Sequence, residues 1–365
     1  MSLVNQRITA SLKNLFIGDA LSMPVHWFYR TSDIYQYFPP HGICKMEAAP
    51  ADHPSSIMSL HSTTAGGRKS ATLSLSALEG EVVGDIILKG KRELWGGDRI
   101  HYHRGLKAGD NTLNAWCARL MIQHLVANGG YNKKQWLADY IEFMTADPAR
   151  HPDTYAESYH RGFFANLKAG KPPENCAAVT HDTPSMGALV TVAPLTYALF
   201  KQHSLESMQT VCCEHVALTH PDDSLMKVVS AYVGLLYQLL RTGDQSSSTV
   251  DILHQAGQAV SGTNIHKLLQ QKSGDAAVVG RQYSTACYIT DSWPSVCYLA
   301  AKYFDDPAKS LLVNTNLGGE NAHRGSVLGT IVGAASGEQS EPLFEQLLHH
   351  EAIDREVQEL VSTIG

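Results

Sequence analysis

Long apolar runs are missing: no stretch of the 365 residues approaches the about eighteen consecutive apolar positions of a membrane helix. The opening Met1-Ser2-Leu3-Val4-Asn5-Gln6-Arg7 has neither a basic region nor an uninterrupted apolar core, so no secretory signal is expected. Basic charge is not in surplus. Lys+Arg 29 against Asp+Glu 35 gives a net charge of −6 at pH 7, which argues against a general nucleic-acid binder. Paired cysteine spacing is absent too. The seven cysteines (44, 117, 176, 212, 213, 287 and 297) are odd in number and include no CxxC. Cys212-Cys213 is too close for an ordinary bridge, so free thiols in a reducing cytoplasm are expected. Period-two strands are scarce: the best candidates, Val82-Val83 and Ile86 to Leu88, are short and lie between glycines.

What is present is apolar content at 44% with charged residues at 18%, enough to build a core and exclude a disordered chain. Histidine is unusually frequent, at 18 residues. Apolar residues recur at helical spacing. Ile8, Leu12, Leu15 and Phe16 stripe a first helix expected to end at Gly18-Asp19. Leu113 to Leu125 stops at Asn128-Gly129-Gly130, and Trp136 to Met144 is closed by Asp147-Pro148. Further helices are expected over 205–218, 225–240, 293–304, 327–335 and 343–364. The run 225–240 is apolar nearly all round, which predicts a central helix. The expectation is an all-α orthogonal bundle in one domain, 1–365. Residues 38–70 and 146–184 lack helical pattern and are expected to be functional loops. Tyr-His-Arg-Gly occurs at 102–105 and 159–162 without flanking similarity, which argues against an internal repeat.

Four segments carry candidate chemistry. Gly109-Asp110-Asn111-Thr112 precedes an apolar-periodic run, so Asp110 or Asn111 is expected to cap a helix, or to join a metal or phosphate site. Asn316-Leu317-Gly318-Gly319-Glu320-Asn321-Ala322-His323-Arg324 crowds polar side chains onto the start of an apolar helix. Such groups need buried partners, and paired glycines let backbone approach a ligand. Gly18 to Trp27 closes the first helix, and Leu218-Thr219-His220-Pro221-Asp222-Asp223 breaks two apolar helices.

Taken in order, these segments resemble the ADP-ribosylglycohydrolase family. Gly18 to His26 is similar to its GDAxGxPxE, Gly109 to Thr112 to its TDDT, and Gly187 to Leu195 to its GSAMRxAPL. Leu218 to Asp223 is close to LTHPDP, and Gly318 to Ala334 aligns without gaps onto GGDTDTxAAIAGALAGA. The resemblance implies an all-α bundle with a central cleft. It also implies two Mg²⁺ ions orienting an ADP-ribosyl group for cleavage of its glycosidic bond.

The chain departs from that pattern at the site. The family's opening Glu falls on His26, its TDD on Gly109-Asp110-Asn111, and its closing DTDT on Glu320-Asn321-Ala322-His323. The bridging Asp is Ala322. Two acids remain, Asp110 and Glu320, whereas paired magnesium ions need several anionic oxygens. At most one ion is therefore expected, on Asp110, Asn111, Glu320 and His323. It would be a divalent metal, magnesium as in the family or a transition metal suited to imidazole; a metal-free site is the other expectation. His26, Asp110, Glu320 and His323 are the candidate catalytic residues. Asn111, His220, Gly187, Gly318, Gly319 and Asn321 are the candidate substrate-binding ones. Trp95 to Gly105 carries groups that can grip adenine and pyrophosphate. The expected function is hydrolysis of an N- or O-glycosidic bond to ribose, in an ADP-ribose-containing small molecule or an ADP-ribosylated protein. The alternative is a degenerate ADP-ribose-binding or crystallin-like structural protein.

Overall fold

Helices form where the apolar stripes run, and in several places where the stripe is weak. The computed structural model describes residues 2–58, 81–180, 183–241 and 246–364. These contain α1 (Leu3–Ser22), α2 (Thr31–Tyr37), α3 (Leu113–Asn128), α4 (Lys133–Thr145) and α5 (Ser158–Lys168). Next come α6 (Val192–Leu199), α7 (Leu205–Ala217), α8 (Asp223–Arg241), α9 (Ser246–Ser261), α10 (Ile265–Leu269) and α11 (Asp275–Val278). The chain continues through α12 (Ile289–Tyr303), α13 (Pro307–Leu317), α14 (Asn321–Ser336), α15 (Glu341–Phe344) and α16 (His350–Ile364). Among the described residues there is no sheet. Val83 with Ile87 and Val279 with Tyr283 form only isolated bridges, and two more, Asp52 with Ile100 and Ser185 with Tyr288, pin loops together. The all-α expectation holds. No helix among the described residues is long and apolar enough to cross a membrane.

The centre of the bundle is α1 against α14, the most extensive helix pair. Both are buried on every side over most of their length. That corrects the expectation for 225–240: α8 is amphipathic, with Lys227 and Gln238 exposed. The central pair is hard to read from sequence because it is small and polar rather than apolar. Gly325, Gly329 and Gly333 on α14 lie against α1 backbone, where an added Cβ would stand 2.5, 2.1 and 2.6 Å from the carbonyl oxygens of Gly18, Asn14 and Ala10. Buried hydroxyls are paired internally: Ser22 Oγ lies 2.7 Å from Thr315 Oγ1, and Thr330 Oγ1 donates to Ser326 O at 2.9 Å.

Other expectations need correction. The first helix continues past Gly18-Asp19 to Ser22, because a helical glycine facing another backbone need not end a helix. Segment 146–184 contains α5, whose Tyr159, Phe163 and Phe164 are buried. The run 343–364 is split into α15 and α16. Of segment 38–70, residues 59–70 lie outside the described residues; 38–58 is irregular.

Candidate functional site

Chain segments far apart in sequence meet beside the N-terminus of α14. Trp27 N–H donates to Gly319 O at 2.7 Å, and Gly319 N–H returns a bond to Phe28 O at 2.8 Å. Gly318 and Gly319 have φ of 70° and 67°. A Cβ on either would stand 2.2 Å from a carbonyl oxygen, of Phe28 or of Thr285. The paired glycines thus let the chain approach itself, and this exchange sets His26 and Trp27 over Glu320.

Three buried side chains converge there: His26, Glu320 and His323, with one donor atom from each within 4.8 Å of the others. Glu320 Oε1 lies 3.3 Å from His26 Nε2 and in closer contact with His323 Nδ1. Trp27 Nε1–H donates to the other oxygen, Oε2. Burial alone would push the Glu320 carboxyl up, but His323, with His26 beside it, holds it well below the usual carboxylate range. Burial also disfavours the His323 cation, yet Glu320 and Glu157 overcome it and raise its pKa to about 10. Burial dominates at His26 and lowers it to about 3 against the pull of Glu320. The cluster therefore holds a carboxylate, one imidazolium and one neutral imidazole.

Behind His26 runs a relay that sequence spacing does not disclose. His26 Nδ1 lies 2.7 Å from His103 Nε2, and His103 Nδ1 lies 2.8 Å from Asp153 Oδ1. Asp153 also accepts from Leu113 N–H at 2.7 Å and Thr154 N–H at 2.7 Å. Burial opposes its charge, but His103 and these donors leave its pKa lowered. Asp153, not Asp110 or Asn111, therefore satisfies the first amide of α3. This corrects the capping expectation, and its cause is a loop forty positions downstream.

The candidates separate. Asp110 Oδ2 accepts from Lys107 N–H at 2.8 Å, and Oδ1 sits 3.9 Å from His349 Nε2, so its carboxylate is turned out of the cluster. Asn111 Nδ2–H donates to Phe16 O and to Asp19 Oδ2, both at 2.9 Å. Asp19, fully buried, also receives Thr112 N–H at 2.8 Å and Thr112 Oγ1–H at 2.6 Å, tying α1 to the start of α3. Asn321 Nδ2–H donates to Thr315 O at 2.8 Å, inside the protein. Gly187 faces the site: a Cβ there would stand 2.7 Å from Asn114 Nδ2, 2.9 Å from Glu157 Oε2 and 3.3 Å from His323 Nδ1. His220 packs on Tyr159 at a centroid distance of 3.9 Å.

Two hollows adjoin the cluster. A narrow cavity of about 10 Å³ is walled by Trp27, Asn114, Tyr155, Glu157 and His323 among others. Another, of about 30 Å³, shares Asn114 and is walled by Trp136, Tyr159, His160, Gly187 and His220. Asn114 bridges them, donating to Glu157 Oε2 at 2.7 Å and accepting from Tyr159 OH at 2.7 Å. Glu157, Asp153 and Asp19 belong to the site although sequence reasoning misses all three. The available signals are the acidic residues of the 146–184 segment and the Asp beside Gly18. The gripping segment expected at 95–105 contributes His103, and Trp95 Nε1–H donates to Thr154 O at 2.9 Å.

Comparison with known proteins agrees with this architecture. The family model described as ADP-ribosylglycohydrolase matches residues 2–364. A solved structure described as an ADP-ribosylglycohydrolase-related protein complex superposes with a TM-score of 0.65 at 14% identity, covering 100% of both chains. At that identity it speaks for the fold alone. No curated protein matches the sequence.

Proposed function

The chain belongs to the ADP-ribosylglycohydrolase family, and from that premise we propose that it hydrolyses an N- or O-glycosidic bond to ribose in an ADP-ribosyl conjugate or related nucleotide. The observation that carries the reading is a charged, hydrogen-bonding wall on a largely buried hollow: Glu157 and His323 line it together with Trp27 and Tyr155. A purely structural protein gains nothing from burying such groups, because each costs desolvation unless it is used or paired.

The residues suggest a division of labour. Cleavage at the anomeric carbon builds positive charge on the ribose ring, and departure leaves negative charge on the leaving atom. Glu157, with Oε1 3.8 Å from His323 Nδ1, is placed to take a proton from attacking water and to stabilise the ring cation. The positive charge at His323, fixed by Glu320 behind it, faces the same space and favours the leaving group. Trp27 and Tyr155, packed edge to face with ring centroids 5.2 Å apart, form the apolar part of the same wall.

Paired magnesium, which the family implies, does not fit. The cluster offers one carboxylate and two imidazoles, Ala322 stands where a bridging acid is needed, and Asp110 points away. Hard Mg²⁺ asks for oxygen ligands in near-octahedral array. The steps above therefore rest on the protein's own groups. The test is turnover of ADP-ribosyl-arginine, ADP-ribosyl-serine and simple nucleosides, with divalent ions or EDTA. Release of ADP-ribose or free base, lost in Glu157→Gln, is expected. Binding of ADP-ribose in calorimetry without turnover of any substrate would instead favour a reader, and neither binding nor turnover a structural role.

A further inference from the structure

We propose that His26, Glu320 and His323 form a site for one divalent transition-metal ion of the zinc type, in place of the paired magnesium of the family. Orientation comes first. Asp153, which accepts from the Leu113 and Thr154 amides, holds His103 Nδ1 at 2.8 Å, and His103 Nε2 holds His26 Nδ1 at 2.7 Å. This turns His26 Nε2 toward Glu320 Oε1, 3.3 Å away, so that an imidazole nitrogen and a carboxylate oxygen face one another as two ligands of a cation do.

A second observation points the same way. His26 Nε2, Glu320 Oε1 and His323 Nδ1 are all buried, and none has a hydrogen-bond partner of acceptable geometry. The residues are 0%, 0% and 3% exposed, so bulk solvent does not reach these atoms. They aim at one another instead. Ligands at about 2.0–2.1 Å from an ion stand roughly 3 Å apart, the scale of the His26–Glu320 separation; Glu320 and His323, in closer contact, would part on binding it.

The outer contacts match what a ligating set requires. A metal-bound imidazole gives its other N–H to an acceptor, and a bound carboxylate is held through its free oxygen. His26 does the first through His103 and Asp153, and Glu320 does the second through Trp27. Two imidazoles with one carboxylate select a borderline cation over magnesium. An ion held here would displace the proton of His323 and would itself carry the positive charge that the imidazolium holds in its absence; the donor atoms carry the assignment, and the identity of the substrate is tested separately.

The test uses the full chain, stripped with chelator and titrated with Zn²⁺, Co²⁺ or Mg²⁺ by calorimetry, with absorption spectra for cobalt. One equivalent of zinc or cobalt should bind, cobalt should show visible ligand-field bands with imidazole ligation, and millimolar magnesium should give no saturable heat. His103→Ala, which touches no ion, should weaken zinc about 10–100-fold through lost orientation, while Glu320→Gln or His323→Gln should abolish the stoichiometric site. Circular dichroism identifies any variant that fails to fold. Should one fail, the other two carry the result, and the wild-type titration decides by itself. Folded wild-type protein that takes up no zinc or cobalt, or that binds two magnesium ions, overturns the proposal. So does a zinc affinity indifferent to both ligand substitutions.

Discussion

Glu157 is the side chain on which the proposed chemistry turns, and its surroundings allow a clean substitution. Its Oε2 accepts from Asn114 Nδ2–H at 2.7 Å, a bond that the oxygen of a glutamine can keep. Glu157→Gln therefore removes charge and basicity while preserving shape. Loss of a positioned general base usually costs about 10²–10⁴ in rate, so kcat should fall by that order with KM little changed. Steady-state kinetics with unchanged thermal unfolding checks this, and an unaltered kcat would remove Glu157 from the mechanism. Gly187 tests the neighbouring wall. A Cβ at that position meets Asn114 Nδ2 at 2.7 Å and Glu157 Oε2 at 2.9 Å, both ends of side chains already committed to each other. Gly187→Ala should push them apart and raise KM several-fold more than it lowers melting temperature. A pure loss of stability with normal KM would show that the two hollows are not used by substrate.

At the scale of helices, the contact between α1 and α14 is set by glycine at four-residue spacing, and Gly329 is its closest point. Alanine is the better helix former by about 1 kcal/mol, so Gly329→Ala would stabilise an exposed helix. Here the added Cβ would stand 2.1 Å from Asn14 O, and backbone cannot rotate out of the way as a side chain can. Overpacking of about 1–3 kcal/mol should win, and since α14 carries Glu320 and His323 the separation should also disturb the cluster. Lower melting temperature together with weaker metal or ligand binding is the expected pair of readings; a more stable protein would show that the helices can part freely. The same pair of helices shows what sequence can disclose. Helices α3, α4 and α7 are legible because one face is apolar and the ends carry stop signals. α5 is not, since Pro, Gly and Asp surround it and only Tyr159, Phe163 and Phe164 mark its buried face. α13 and α9 carry their apolar residues too sparsely to stand out. The start of α14 is legible as a site because Glu320 and His323 load polarity onto a buried helix. Asp110 reads as part of it because capping is a local rule, whereas the group that caps α3 is Asp153, brought in by tertiary structure. The relay through His103 becomes visible only once two loops are placed together.

The whole molecule buries far more imidazole than its candidate chemistry uses, and that has a consequence for acid stability. Burial lowers His53 and His151 to about 4. It lowers His215 to about 3, and His101 and His160, helped by neighbouring histidines, lie well below the ordinary value. These five are neutral in the folded protein, and in the unfolded chain they take up protons below about pH 6.5. The unfolded state then binds more protons, so stability rises with pH across the window from about 4 to 6.5 and is lost as pH falls through it. At pH 5 each such group costs about 2 kcal/mol, since every tenfold difference in proton affinity between the two states is worth about 1.4 kcal/mol. His53, His151 and His215 together reach about 6 kcal/mol, within the whole stability of a typical domain, and His101 and His160 act in the same direction. His323 works in the opposite sense, because its raised pKa gives stability that is complete below about pH 6.5 and is lost as pH climbs toward 10. One such group does not offset five. Melting temperature measured by calorimetry should therefore drop steeply between pH 7 and pH 5, with several protons taken up on unfolding. A ligand seated against His160 and His215, which wall the aromatic hollow beside Asn114, should shift the whole curve upward. A melting temperature flat over that interval would mean that these imidazoles already reach water in the native state, and the sealed polar interior on which the site depends would not exist.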